Sequence, residues 1–259
     1  MVRIRHIVER RGLALFFLLA IILSWWSIPF ANGALLPYGP AVAAGIVLAL
    51  RRDRHGLGVL GQRLSHWRAG WWYLIGSTII VGYQGIAFGI NLLLGATIAV
   101  LPRLPSTETA IQLFLLGGLW EEIGWTGYAL PTLRLEFSSH PRGTLIAVLV
   151  MGVLRAIWHL PLFLAGTIFW FDILAFEMGF QMIIAWIFLK SGGSLPAVMV
   201  FHFTSNLVGL VMSPVFTGAA RTNYYALFMT LAFLVGLVLI QFTSRGVLRR
   251  GTPHFRPAG

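Results

Sequence analysis

The chain has 259 residues, 58% of them hydrophobic and 10% charged, against about 25% charged residues in a soluble domain. A mean hydropathy of +0.82 and several apolar runs of about 20 residues exclude an ordinary soluble domain and give an all-α, polytopic membrane helix bundle. The period-2 alternation of a membrane β-barrel is absent.

The formal net charge of +11 raises nucleic acid as a partner, and the placement of the charge argues against it. Arg3, Arg5, Arg10 and Arg11 precede the first apolar run, Arg51, Arg52, Arg54, Arg63 and Arg68 fill one loop, and Arg245, Arg249, Arg250 and Arg256 follow the last run. Clusters beside spans are topology signals and contacts for anionic membrane lipids. A basic patch alone satisfies only one point of a nucleic-acid signature. With no cysteine in the chain, disulfides and thiolate chemistry are excluded.

In chain order, residues 1–12 form a basic amphipathic start and residues 13–30 a first span. Its charged flank resembles a signal peptide, but the core is long and no small-x-small cleavage site follows, so it reads as a retained helix. Residues 40–50 form a second span, short unless it begins near Ala34. Residues 51–70 are a basic loop in which Leu57, Leu60 and Leu64 recur at helical spacing. Part of that loop is either an amphipathic surface helix or solvated coil. Trp71, Trp72 and Tyr73 mark a membrane interface.

The third span runs to about residue 100. It carries Gln84 and Asn91, residue types that bond neighbouring helices more often than they do chemistry. After a Pro-rich loop, span four covers residues 110–130, span five 144–164, span six 171–189, span seven 195–212 and span eight 224–242. Eight spans with both termini cytoplasmic put sixteen of the nineteen basic residues on the cytoplasmic side, as the positive-inside rule requires. The whole chain, residues 1–259, reads as one integral domain of the cell membrane. No internal repeat supports an inverted-repeat transporter.

Four spans place polar or ionisable groups at membrane depth: Glu121 and Glu122, Arg155 and His159, Glu177, and His202 with Asn206. Intramembrane acids are costly and usually mark function; the alternative is a pair buried as structural glue. His202 and Asn206 are four apart and share a helix face, as do Arg155 and His159. Glu121 and Glu122 are about 100° apart around their helix, so one faces a cavity while the other engages a neighbour. Gly117, Gly118, Gly124 and Gly127 allow close helix approach or room for a substrate backbone.

A carboxylate with two imidazoles and an amide suits hydrolysis. The carboxylate can take a proton from water. Glu121, His159 and His202 could instead hold zinc, which lowers the pKa of bound water. Asn206 can donate to a developing oxyanion. HExxH and GxSxG motifs are absent from the sequence.

The run Glu121-Glu122-Ile123-Gly124-Trp125-Thr126-Gly127-Tyr128-Ala129-Leu130-Pro131, then Trp158-His159-Leu160-Pro161-Leu162-Phe163, then His202-Phe203-Thr204-Ser205-Asn206 resembles the three motifs of the CPBP intramembrane metalloprotease family. That family includes the type II CAAX prenyl endopeptidases and the bacterial Abi proteins. Its pattern is EExxxR, FxxxH and HxxxN on three helices of an eight-helix bundle, and the resemblance covers about residues 110–209. It implies that Glu121 is the general base with His159 beside it, that His202 and Asn206 stabilise the oxyanion (or that His202 ligates metal), and that Glu122 supports them. It implies an endopeptidase acting on a membrane-associated protein or peptide, with zinc-assisted and metal-free mechanisms both open.

Two positions depart from the pattern. The arginine of EExxxR is Thr126, and the phenylalanine of FxxxH is Arg155. Charge balance suggests that Arg155 replaces the missing arginine from across the helix interface and pairs with Glu122; Glu177 is the competing partner. The contrasting expectation is a decayed motif on a non-proteolytic immunity or scaffold protein. A transporter with a proton-relay carboxylate is disfavoured by the ordered histidine motifs.

Overall fold

A computed structural model describes residues 2–30 and 35–246. Among them, all regular structure is helical. The basic tail residues Arg249, Arg250 and Arg256, and the earlier start of the second span near Ala34, lie outside the described residues.

Helix α1 (Val2–Trp25) packs on α2 (Gly39–Leu50). The twelve residues of α2 reach only about 18 Å, short of a hydrocarbon core of about 30 Å. The basic loop contains a helix, α3 (Arg54–Leu64), started by Asp53, whose carboxylate accepts the Gly56 N–H. Of its leucines, Leu57 is exposed, while Leu60 faces Gly127. Arg63 of α3 donates from Nη1 to the Gly127 carbonyl at 2.6 Å. Burial, with the Arg134 cation second, lowers its pKa to about 10, so it remains charged at neutral pH.

Helix α4 (Trp72–Leu93) ends earlier than the sequence pattern suggests. Residues 94–106 continue as irregular chain, anchored where the Ala99 N–H donates to the Val215 carbonyl at 2.8 Å. Gln84 accepts from the Tyr224 hydroxyl and Asn91 donates to the Ala220 carbonyl, so both tie helices together as expected of amides in membrane helices.

The segment bearing the glutamates is one continuous helical run. It comprises α5 (Thr107–Leu113), a π-helical turn (Phe114–Leu119), α6 (Trp120–Gly124), a second π-helical turn (Trp125–Ala129) and α7 (Leu130–Glu136). Pro131 does not end it: the Gly127 carbonyl, which a proline four residues on cannot serve, accepts from Arg63 instead. Helix α8 (Gly143–Trp158) stops at His159, and α9 (Leu160–Leu164) follows. The apolar run over residues 144–164, expected as one unbroken span, is therefore two helices. Pro161 has no N–H to give to the turn before it, so α8 cannot continue through it, while it suits the first turn of α9. The stranded Trp158 carbonyl accepts the Trp25 indole N–H at 3.0 Å.

A third π-helical turn (Asp172–Phe176) leads into α10 (Glu177–Lys190). Helix α11 (Leu195–Met212) is capped by Ser194, and α12 (Gly218–Gly246) closes the bundle. Helix α10 lies against α8, α11 and α12, while α6 is held between α2 and α11. Three helices, Trp72–Leu93, Leu195–Met212 and Gly218–Phe242, are long and apolar enough to cross a membrane; three shorter apolar helices accompany them. Leu18, Ile22, Val81, Ile86, Leu234 and Val238 are exposed on the outside, as suits a lipid-facing surface.

Two glycines set how closely the glutamate helix is held. A Cβ on Gly118 would stand 2.8 Å from the Met199 carbonyl of α11, and one on Gly124 would overlap the Pro40 carbonyl of α2. Both obstacles are backbone, which cannot rotate aside. Gly124→Ala should therefore destabilise the protein by about 1–3 kcal/mol. Gly45→Ala, where a Cβ meets nothing within 4 Å, should be neutral or stabilising. Thermal unfolding in detergent compares the two.

Candidate active site

Glu121 and Glu122 occupy the short α-turn between two π-helical turns. The Leu130 N–H reaches back to the Trp125 carbonyl, an i to i−5 bond. Each such turn holds one extra residue, which rotates the chain beyond it by about 100°. On the α-turn itself the two adjacent carboxylates diverge by the ordinary helical step of about 100°. Glu121 lines a cavity of about 190 Å³ between α6, α8, α10 and α11. Glu122 is fully buried behind it.

Glu122 is saturated with donors. Thr126, one turn on, donates from Oγ1 to Oε2. Arg155 of α8 donates from Nη1 to Oε1 at 2.8 Å. His202 of α11 brings Nδ1 to the same oxygen, also at 2.8 Å. The pairing inferred from charge balance is thus present in the structure. Thr126 gives Glu122 a hydrogen bond from its own helix, and Arg155 gives it a cation from across the helix interface. The Arg155 guanidinium is 1% exposed and lies over the Phe180 ring at 5.4 Å.

Glu121 has far less company. Among the described residues its one ion pair is with Arg155 Nη2, at a long 3.4 Å. His159, His202 and Asn206 line the same cavity, together with Asp172 and Glu177. The break in α8 puts His159 at the helix end, where its Nδ1 lies 3.0 Å from the Arg155 carbonyl and 3.2 Å from Glu177 Oε1. The Asn206 amide lies against Gly117, and a Cβ there would overlap its Nδ2 and stand 3.8 Å from His202 Nε2. The bare glycine keeps that corner of the cavity open. The structure therefore brings Glu121, His159, His202 and Asn206 to one cavity, with Glu122 and Arg155 behind it. Asp172 is a cavity residue the sequence reading passed over. Its only signal was an acid at the edge of an apolar run.

The candidate zinc set read from sequence was Glu121, His159 and His202. Among the described residues, the ligand atoms that converge within 4.8 Å are those of Glu121, Glu122 and His202; His159 is not among them. This trio is a hydrogen-bonded ionic cluster. His202 Nδ1 and Glu122 Oε1 face each other, Thr126 takes the other Glu122 oxygen, and a permanent cation stands beside both glutamates. A dication would have to sit against the Arg155 guanidinium. These residues, arranged so, do not fit a resident zinc.

Removing Arg155 leaves a buried, charge-deficient Glu122. Arg155→Phe should cost about 3–5 kcal/mol of stability, the usual penalty for breaking a buried pair. Adding Thr126→Arg to that variant, which moves the cation back into EExxxR, should recover most of the loss. Chemical unfolding in mixed micelles measures both variants against wild type.

Residues 104–208 match the family described as type II CAAX prenyl endopeptidase Rce1-like. Over 106 residues the chain is 28% identical to CAAX prenyl protease 2 of Methanococcus maripaludis. The match takes in 37% of this chain and 37% of that relative, so it spans little more than a third of the relative's length. The matched segment contains the glutamate doublet, the broken helix with Arg155 and His159, and the His202–Asn206 face. Over residues 104–208 the chain is thus similar to the CPBP/CAAX protease family.

Proposed function

We propose that this protein is an intramembrane endopeptidase of the cell membrane that hydrolyses a peptide bond in a membrane-associated protein or peptide. The observation that carries the reading is the inequality of the two glutamates. Glu122 spends both oxygens on Thr126, Arg155 and His202, while Glu121 faces the cavity with a single long ionic contact. A saturated carboxylate cannot act as a base; Glu121 can. The membrane topology proposed with it is one domain over residues 1–259, eight spans and both termini cytoplasmic, with residues 110–209 as the reactive core.

Glu121 takes a proton from a cavity water as that water attacks the scissile carbonyl carbon. The carbonyl oxygen gains the negative charge, and Asn206 Nδ2 donates to it beside Gly117. His202 already directs Nδ1–H at Glu122, so it helps the oxyanion as an imidazolium, donating from Nε2 with Glu122 as counter-ion. Collapse of the tetrahedral centre breaks the C–N bond, and the amine leaves with the proton that Glu121 holds. His159 stands beside this path and relays protons. No metal takes part in any step.

The family description and the relative's name support a substrate ending in a prenylated cysteine sequence, C-a-a-X. The test is purified full-length protein in micelles with a farnesylated C-a-a-X peptide, its fragments read by mass spectrometry. Wild type should cleave it. Glu121→Gln and His159→Ala should each lower kcat by about 10²–10⁴-fold, and exhaustive treatment with a metal chelator should leave the rate unchanged. Cleavage that persists in Glu121→Gln would contradict the assignment, and an inactive wild type would contradict the substrate class.

A further inference from the structure

Glu177 belongs to none of the three motifs, yet it is one of the best-placed carboxylates in the molecule. It is 7% exposed and lines the cavity. Its Oε1 lies 3.2 Å from His159 Nδ1, and its Oε2 lies 3.7 Å from Arg155 Nε. We propose that Glu177 is the positioning residue of His159. It sets a carboxylate beside the Nδ1–H that the Arg155 carbonyl accepts, steadies the ring with its Nε2 lone pair toward the cavity, and balances the ring's charge when His159 carries a second proton.

The backbone explains how Glu177 comes to be there. Its N–H donates to the Asp172 carbonyl, closing the π-helical turn over Asp172–Phe176. In a plain α-helix, residues five apart lie about 140° from one another. The π turn instead brings Asp172 and Glu177 to the same cavity wall. The extra residue is thus what aims Glu177 at α8, in keeping with the frequency of π turns at functional sites.

The hydrogen-bond chemistry of His159 is equally directed. Both neighbours of Nδ1, the Arg155 carbonyl and the Glu177 carboxylate, are acceptors. The proton must then sit on Nδ1, since the bond made by one ring nitrogen sets the state of the other. The ring is held edge-on against Trp158, centroids 4.7 Å apart. The carbonyl alone would fix the tautomer, but only a carboxylate supplies a countercharge, the part played by the aspartate of serine-protease triads.

The competing role for Glu177 is counter-ion to Arg155. The distances favour His159, because Arg155 is already bound to Glu122 at 2.8 Å and its contact with Glu177 is the longest of its three. The other charged or titratable groups facing this pair are Arg155 on α8, Glu121 on α6, Asp172 on the π turn and His202 on α11. On the α12 side, Tyr225 packs against Phe169. None of these puts a second carboxylate within salt-bridge distance of His159.

The proposal rests on the hydrolytic reading of His159, and its test separates the two. With the farnesylated peptide, Glu177→Gln should lower kcat by about 10²-fold or more while KM stays near the wild-type value, and Glu177→Asp should restore part of the loss. In a His159→Ala background, Glu177→Gln should cost nothing further, because the two act as one unit. Losses that multiply in the double variant, or a changed KM with kcat intact, would overturn the proposal. Independently of any substrate, NMR of protein labelled with 15N-histidine, assigned by the signal missing in His159→Ala, should show the His159 Nδ1–H resonance moving in Glu177→Gln. An unmoved resonance sinks the pair even if the protein cleaves. A moved resonance in a wild type that cleaves nothing sustains the pair and indicts only the hydrolytic reading.

Discussion

One carboxylate organises this molecule. Glu122 is fully buried and accepts from three elements at once: Thr126 on its own helix, Arg155 on α8 and His202 on α11. Burying an ion costs several kcal/mol even after the protein relaxes, so such a charge persists only when its lone pairs are filled. Filling them here fixes three helices relative to one another. It also orients Nδ1 of His202 and draws the Arg155 guanidinium between Glu122 and Glu121. The weakly held Glu121 is a consequence, since the cation's short contact is spent on Glu122.

Backbone irregularity does the rest of the positioning. Two π turns bracket the glutamates and a third precedes Glu177, while Pro161 breaks α8 at His159. Each irregularity lies within about one turn of a cavity side chain. A regular helix would distribute these residues by its 3.6-residue period alone. The inserted residues and the break allow Glu121, His159, Glu177, His202 and Asn206 to share one cavity. The close approach of α6 to α2 and α11, permitted by Gly124 and Gly118, narrows the space around them.

Much of this was legible in the sequence for definite reasons. Helix α11 spans the residues its hydropathy predicted, since Ser194 caps it and Gly192 and Gly193 turn the chain before it. The divergence of Glu121 from Glu122 followed from helical geometry. The Arg155–Glu122 pair followed from charge balance, because an acid without its motif arginine and an arginine without its motif phenylalanine answer each other. Other features had no such signal. The π turns carry no distinctive residue, and hydropathy does not register one extra residue in a helix. The break at His159 was written in Pro161, but apolar character ran straight through it. Glu177 looked like a rival for Arg155, because sequence spacing across two helices says nothing about which neighbour a carboxylate reaches first.

The central claim is that Glu122 and Arg155 form one ionic unit in place of the motif arginine. The most direct measurement is a double-mutant cycle on Glu122→Gln and Arg155→Met, read as unfolding free energies in mixed micelles. The account predicts a coupling energy of about 2 kcal/mol or more, with the double variant more stable than the sum of the single losses implies. Single-variant losses that add to within about 0.5 kcal/mol would show two independent residues and contradict it.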